Sequence, residues 1–178
     1  MSIGFTNTEA PPCIYKRTEK GPNNKDQYTV VALYVDDLII ATSVKDNSKQ
    51  LESEFQTRFS MKIMGTLKHI LGMDVHYDIQ NKAIHVSQSQ YIKQSVKAYN
   101  KYGPSGKLKS YSTPMDRRVP YTKSQSPAAD SVEAIRMKSM PYRELIGTLL
   151  WVANGTRPDI AYAVGTLAKV TDNPGEIH

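Results

Sequence analysis

Cysteine is nearly missing from this 178-residue chain: Cys13 is the only one. A single thiol cannot close an internal disulfide or build a Cys/His zinc pattern, so a reducing interior compartment is the expected setting. The four histidines, His69, His76, His85 and His178, show no metal-ligand spacing along the sequence. No run approaches the roughly 18 apolar residues of a membrane span, and the opening MSIGFTNTEAPPC lacks the basic and apolar regions of a signal peptide. A membrane partner is therefore not expected.

An apolar content of 39% suits one ordinary domain or two small ones. The net charge of +6 is unevenly spread. Lys and Arg outnumber Asp and Glu over residues 46–102 and again over 103–140, whereas 1–45 is balanced and 141–178 is slightly acidic. Basic surface interleaved with Tyr91, Tyr99, Tyr102 and Tyr111 suits a phosphate backbone. A plain lysine-rich solvated surface explains the same charge.

Along the chain, YTVVALY (28–34) and LIIAT (38–42) are β-branched and aliphatic runs of strand length. The simplest reading is a tight hairpin with Asp36 and Asp37 at its tip. CIYKR (13–17) suits a further strand, and EKGPNNKDQ (19–27) a loop. A helix capped by Asp46, Asn47 or Ser48 follows, with Val44, Leu51, Phe55 and Phe59 on one face. A short strand is expected at Met61–Met64, a turn at Gly65, and a second hairpin from Leu67–Tyr77 and Ala83–Val86 around Gln80-Asn81-Lys82. A helix over about Ser89–Tyr102, with Ile92, Val96 and Tyr99 at helical spacing, ends at Gly103-Pro104. Residues 103–130 read as a linker. Two helices return from Pro141, the first with Leu145, Leu149 and Val152 inward and Trp151 expected in the core. The second, Pro158–Val170, turns Ile160, Val164 and Leu167 inward.

Two adjacent carboxylates inside an apolar run need a partner or solvent. Solvated turn aspartates are common, and that reading stays open. The chemical alternative is a divalent cation: Mg²⁺ takes oxygen ligands and uses one or two protein carboxylates, with water and substrate phosphates filling the rest.

YVDDLII (34–40), FSMKIMGTLKHILGMDV (59–75), VSQSQYI (86–92), STPMD (112–116) and YRELIGTLLWVANGTRPDIAYAV (142–164) occur in that order. Together with GFTNTEAPPCIYKR (4–17), they resemble the reverse transcriptase of Ty1/copia-type retrotransposons over nearly the whole chain. The resemblance implies an α+β fold: a partial polymerase palm (antiparallel hairpins with a packed helix) over 1–88, a thumb-like basic helix and linker over 89–140, and the helical start of a connection over 141–178. It implies that Asp36 ligates catalytic Mg²⁺ or Mn²⁺, with Asp37 a weaker companion, and that Tyr34 and Val35 lie under the primer terminus. It further implies that Leu71-Gly72 grips the primer end, and that the basic helix bearing Lys93 and Lys97 follows the RNA/DNA template–primer duplex.

A duller reading keeps Leu71-Gly72 as a strand residue and a bulge glycine, and Arg157-Pro158-Asp159 as a helix boundary. The family's site also uses an aspartate on an upstream strand. Asp26 cannot replace it: at about 3.3 Å per strand residue, it lies on the order of 30 Å from the tip. Asp46 and Asp74 are no better placed. The expectation is a partial site that does not extend a primer alone, and a truncated sheet whose exposed edge self-associates or recruits the missing fingers–palm half. The implied setting is cytoplasmic, in a virus-like particle, or nuclear. Two further readings stay open: a domesticated, non-catalytic nucleic-acid-binding or interaction module, and an element remnant without function.

Overall fold

The structure, a computed structural model, describes residues 4–8, 12–21 and 24–178, and for 45–47 the backbone alone. The chain is α+β and falls into two compact units, Met1–Leu67 and Lys68–His178.

The first unit is an antiparallel sheet with strands in sequence order: β1 (Thr6–Asn7), β2 (Ile14–Lys20), β3 (Asp26–Tyr34) and β4 (Asp37–Thr42). The register sets Tyr15, Val31 and Ile40 in one row across β2, β3 and β4. Alternation along a strand keeps that row on one face, and helix α1 (Lys45–Gln56) covers it with Leu51 and Phe55. Leu51 is completely buried, and Phe5, Leu38 and Met61 close the cluster. Arg17 reaches from β2 to Glu54 of α1 at 3.4 Å and lies over the Phe5 ring at 5.1 Å.

Several local expectations are corrected. Helix α1 begins at Lys45 with Val44 as N-cap and no side-chain capping bond. The Thr42 hydroxyl takes the Val44 amide instead, at 3.2 Å, so the chain enters the helix before Ser48 can cap it. The side chains of Asp46 and Asn47 lie outside the described residues, as do Pro22 and Asn23 of the 19–27 loop. Phe59 falls beyond the helix and is exposed. Met61–Met64 forms no strand: Met61 packs on the core, Ile63 and Met64 face solvent, and among the described residues no strand pairs with them.

The second unit opens with β5 (His69–Ile70), β6 (Met73–Asp78) and β7 (Ala83–Ser87), again antiparallel in sequence order. A two-residue turn at Leu71-Gly72 divides what the sequence suggested as one flank, Leu67–Tyr77. The β6–β7 turn is held by Asp78, whose two carboxylate oxygens accept from the Asn81 amide and side chain at 3.0 and 2.7 Å. Those bonds hold the Asp78 carboxyl below its ordinary range.

Helix α2 (Ser89–Tyr99) continues into a 3-10 turn at Asn100–Tyr102 and buries no residue fully; of Ile92, Val96 and Tyr99, set at helical spacing, Val96 is exposed. Residues 107–121 carry no regular structure. A helix not anticipated follows, α3 (Val132–Lys138), with Ser131 accepting from the Ala134 amide as N-cap. Glu133 in its first turn and Arg136 and Lys138 in its last complement the helix dipole. Helices α4 (Tyr142–Gly155) and α5 (Ala161–Ala168) pack through Ile146, Val152, Ala153, Ala163 and Val164. Trp151, expected in the core, is instead exposed. The Tyr142 hydroxyl donates to the Leu167 carbonyl at 3.0 Å, and burial pushes its pKa up to about 12.

Candidate functional site

Pairing of Leu33 with Leu38 and Tyr34 with Asp37 leaves only Val35 and Asp36 to turn the β3–β4 hairpin. So short a connection demands a positive φ at its first residue. Val35 adopts φ 52°, whereas Asp36 stays out of the left-handed region. That is the type II′ pattern, which glycine fills without cost. A β-branched residue there is a strained outlier, worth of order 1–3 kcal/mol. The row of side chains under α1 holds the two strands in the register that imposes it.

The consequence is an exposed tip carrying Tyr34, Val35, Asp36 and Asp37 together. Asp36 occupies the turn and Asp37 opens β4. Strand β4 is the last of its sheet, and among the described residues its outer edge has no strand partner. Asp26 sits at the opposite end of β3, paired with Lys20 at 2.7 Å. Asp74 is in the second unit, paired with His69 at 2.9 Å.

The tip's donors are oxygens, the type Mg²⁺ prefers. They are too few for a two-ion centre: among the described residues, no group of three or more His, Cys, Asp or Glu comes together to hold a metal. By itself the donor set does not fit such a centre.

In the second unit, Leu71 (φ 52°) and Gly72 (φ 73°) form the β5–β6 turn. A Cβ at Gly72 would come within 3.8 Å of the Tyr91 ring, which places this turn beside α2. Lys93 and Lys97 are exposed on α2 at a spacing of four. The sequence reading left out Lys101, which extends the same series by four more residues and lies over the Tyr102 ring at 5.0 Å. The signal was the i, i+4, i+8 spacing.

A groove of about 1320 Å³ opens beside α5, where Tyr111, Tyr121 and Tyr162 meet Arg117 and Arg118. Its charges largely cancel. Arg118 grips Asp116 through two bonds of 3.0 and 2.7 Å, and Arg157 grips Asp159 at 2.8 and 2.7 Å. Each pair holds its carboxyl low and its guanidinium high. On charge alone, the lysine series on α2 is the better phosphate-facing surface.

Residues 1–115 match the family described as Reverse transcriptase (RNA-dependent DNA polymerase). A retrovirus-related Pol polyprotein from transposon TNT 1-94 of Nicotiana tabacum is 29% identical over 174 residues, covering 98% of this chain and 12% of the polyprotein. A Saccharomyces cerevisiae protein named for the transposon Ty5-1 is 29% identical over 177 residues, 99% of this chain and 52% of that protein. An uncharacterized mitochondrial protein of Arabidopsis thaliana is 26% identical over 144 residues, 80% of this chain and 53% of its own length. The chain therefore spans from about an eighth to about half of these relatives. No solved structure matches it.

Proposed function

Because the chain belongs to the reverse transcriptase (RNA-dependent DNA polymerase) family, on its Ty1/copia-type retrotransposon branch, we propose that it supplies the carboxylate-bearing part of a polymerase centre and one wall of a template–primer track. The observation that carries this reading is the strained turn that presents Asp36 and Asp37 on an exposed tip beside an unpaired strand edge. In this reading residues 1–88 belong to a palm, 89–140 to a thumb and 141–178 to the start of a connection. The parent Pol polyprotein transfers nucleotides to a primer 3′-hydroxyl. Asp36, with Asp37 as companion, lends its carboxylate to a Mg²⁺ or Mn²⁺ centre whose remaining donors lie outside this set of residues. Tyr34 and Val35 lie under the primer end, Leu71-Gly72 holds it, and Lys93 and Lys97 meet backbone phosphates.

The outer edge of β4 accepts a strand from the rest of the polymerase, or from a second copy when these residues stand alone. Primer extension with Mg²⁺ or Mn²⁺ tests the reading. The 178-residue chain alone should incorporate no nucleotide. Joined to the upstream polymerase segment of its parent polyprotein, it should incorporate, and Asp36→Ala should abolish that activity. Template-dependent incorporation by the chain alone, lost in Asp36→Ala, would overturn the partial-site reading.

The lysine series supports a second, non-catalytic reading as a nucleic-acid-binding module. Duplex binding that weakens steeply with salt and ignores Asp36→Asn favours it. Each of Lys93→Ala and Lys97→Ala should then flatten the log–log salt slope by about 1.

A further inference from the structure

His76 and His85 are nine residues apart in sequence and face each other directly across β6 and β7. Their rings lie 6.3 Å apart, centre to centre, and are tilted by 33°. Both are exposed. The other two histidines are engaged elsewhere: His69 bonds Asp74 at 2.9 Å, and His178 accepts from the Gly175 amide while bonding the Thr122 carbonyl. Among the described residues, neither His76 nor His85 has a hydrogen-bond partner, so all four ring nitrogens are available.

We propose that His76 and His85 form a two-histidine site for a divalent transition metal of the imidazole-preferring class, such as Zn²⁺, Ni²⁺ or Cu²⁺. Two imidazoles on one ion at metal–nitrogen distances of about 2.0–2.1 Å place their ring centres about 5 Å apart. Side-chain rotation in two solvent-exposed rings closes the gap from 6.3 Å without moving the backbone. Directly opposed residues have Cβ atoms about 4.5–5.5 Å apart, a span both rings can bridge.

The charge around the pair favours a cation. Strand alternation sets Asp74 and Asp78 on the same face of β6, one on either side of His76. On the β7 side that face carries Ala83 and Ser87, so no cation on either strand opposes the metal. No third His, Cys, Asp or Glu among the described residues closes on the pair, so water completes the coordination. Because its two ligands come from different strands, the ion would staple the β6–β7 hairpin and stabilise the native state by mass action.

The site is independent of the polymerase reading, and its test uses no activity. Isothermal titration of the untagged full chain with NiCl₂ and with ZnSO₄, beside ring-nitrogen NMR, reads it directly. One ion should bind per chain, shifting the His76 and His85 ring signals together. His76→Ala and His85→Ala should each weaken binding at least ten-fold, and the double variant should bind no more weakly than either single. His69→Ala should leave affinity within two-fold, and metal should raise the melting temperature of the unsubstituted chain and of His69→Ala, but much less that of His76→Ala or His85→Ala. Small, additive losses from the two single variants would overturn the proposal, as would loss of binding in His69→Ala. Circular dichroism of each variant checks folding, which substitution at two exposed positions should leave intact.

Discussion

Two hairpins in this chain are turned by only two residues, and they solve the same geometric problem differently. Leu71-Gly72 places both residues at positive φ, the type I′ pattern, with glycine at the second position. Val35-Asp36 places a β-branched residue at φ 52° and follows it with a carboxylate. The first turn eases half of its burden with glycine. The second retains strain that a glycine in place of Val35 would remove, and it does so where Asp36 must project from a short, fixed connection. Strain of this kind survives only where surrounding contacts over-determine it, and beneath β3 and β4 those contacts are Val31, Ile40, Leu51 and Phe55.

The largest effect should come from removing that support. Leu51→Ala empties the centre of the first unit's core and should cost about 2–5 kcal/mol in chemical denaturation. The hairpin tip should lose amide protection first, while the β5–β6 turn should hardly change.

Exchanging the turns' chemistry comes next. Gly72→Val should destabilise the second unit by about 1–2 kcal/mol, because a β-branched residue is forced into left-handed backbone. Val35→Gly should stabilise the first unit by about 1 kcal/mol, the strain released less the extra entropy of unfolded glycine. A loss of stability in Val35→Gly would show that the valine is not strained and would erase the contrast.

The smallest effect lies in pH. Burial raises the Tyr142 pKa to about 12, so the folded state resists ionisation of this hydroxyl more than the unfolded state does. Its contribution is complete below about pH 10 and is lost as pH rises from there towards 12. Tyr142→Phe should flatten the fall in melting temperature over that window, and an unchanged slope would assign the alkaline loss to other groups.

Much of this fold was legible in the sequence because its signals are local. The β3–β4 hairpin followed from two aliphatic runs with no room between them for more than a tight turn. The two C-terminal helices followed from Pro141 and the apolar spacing of Val152 and Val164, although the second is shorter than the expected Pro158–Val170: Pro158–Ile160 forms a 3-10 turn and the helix runs over Ala161–Ala168. Tertiary competition hid the rest. The α1 start depends on the Thr42 hydroxyl, and α3 is a seven-residue helix whose only clear signals were Ser131 and Glu133. Asp36 and Asp37 were found as a pair, but the strain at Val35 follows from the register of two strands. The same is true of His76 and His85: a spacing of nine means nothing until the Asp78–Ala83 closure sets one opposite the other.

Gln88, at the start of α2, is among the most deeply buried polar side chains of the second unit. Its amide group donates to the Trp151 carbonyl and accepts from the Thr156 hydroxyl at 2.8 Å, and a side chain at Gly155 would collide with it. These bonds join segments more than sixty residues apart, across the unstructured 107–121 stretch. The link between α2 and α4 therefore does not rest on chain continuity alone, because the buried amide supplies a second attachment. A protease that nicked that stretch would cut the chain without breaking these bonds between the start of α2 and the end of α4.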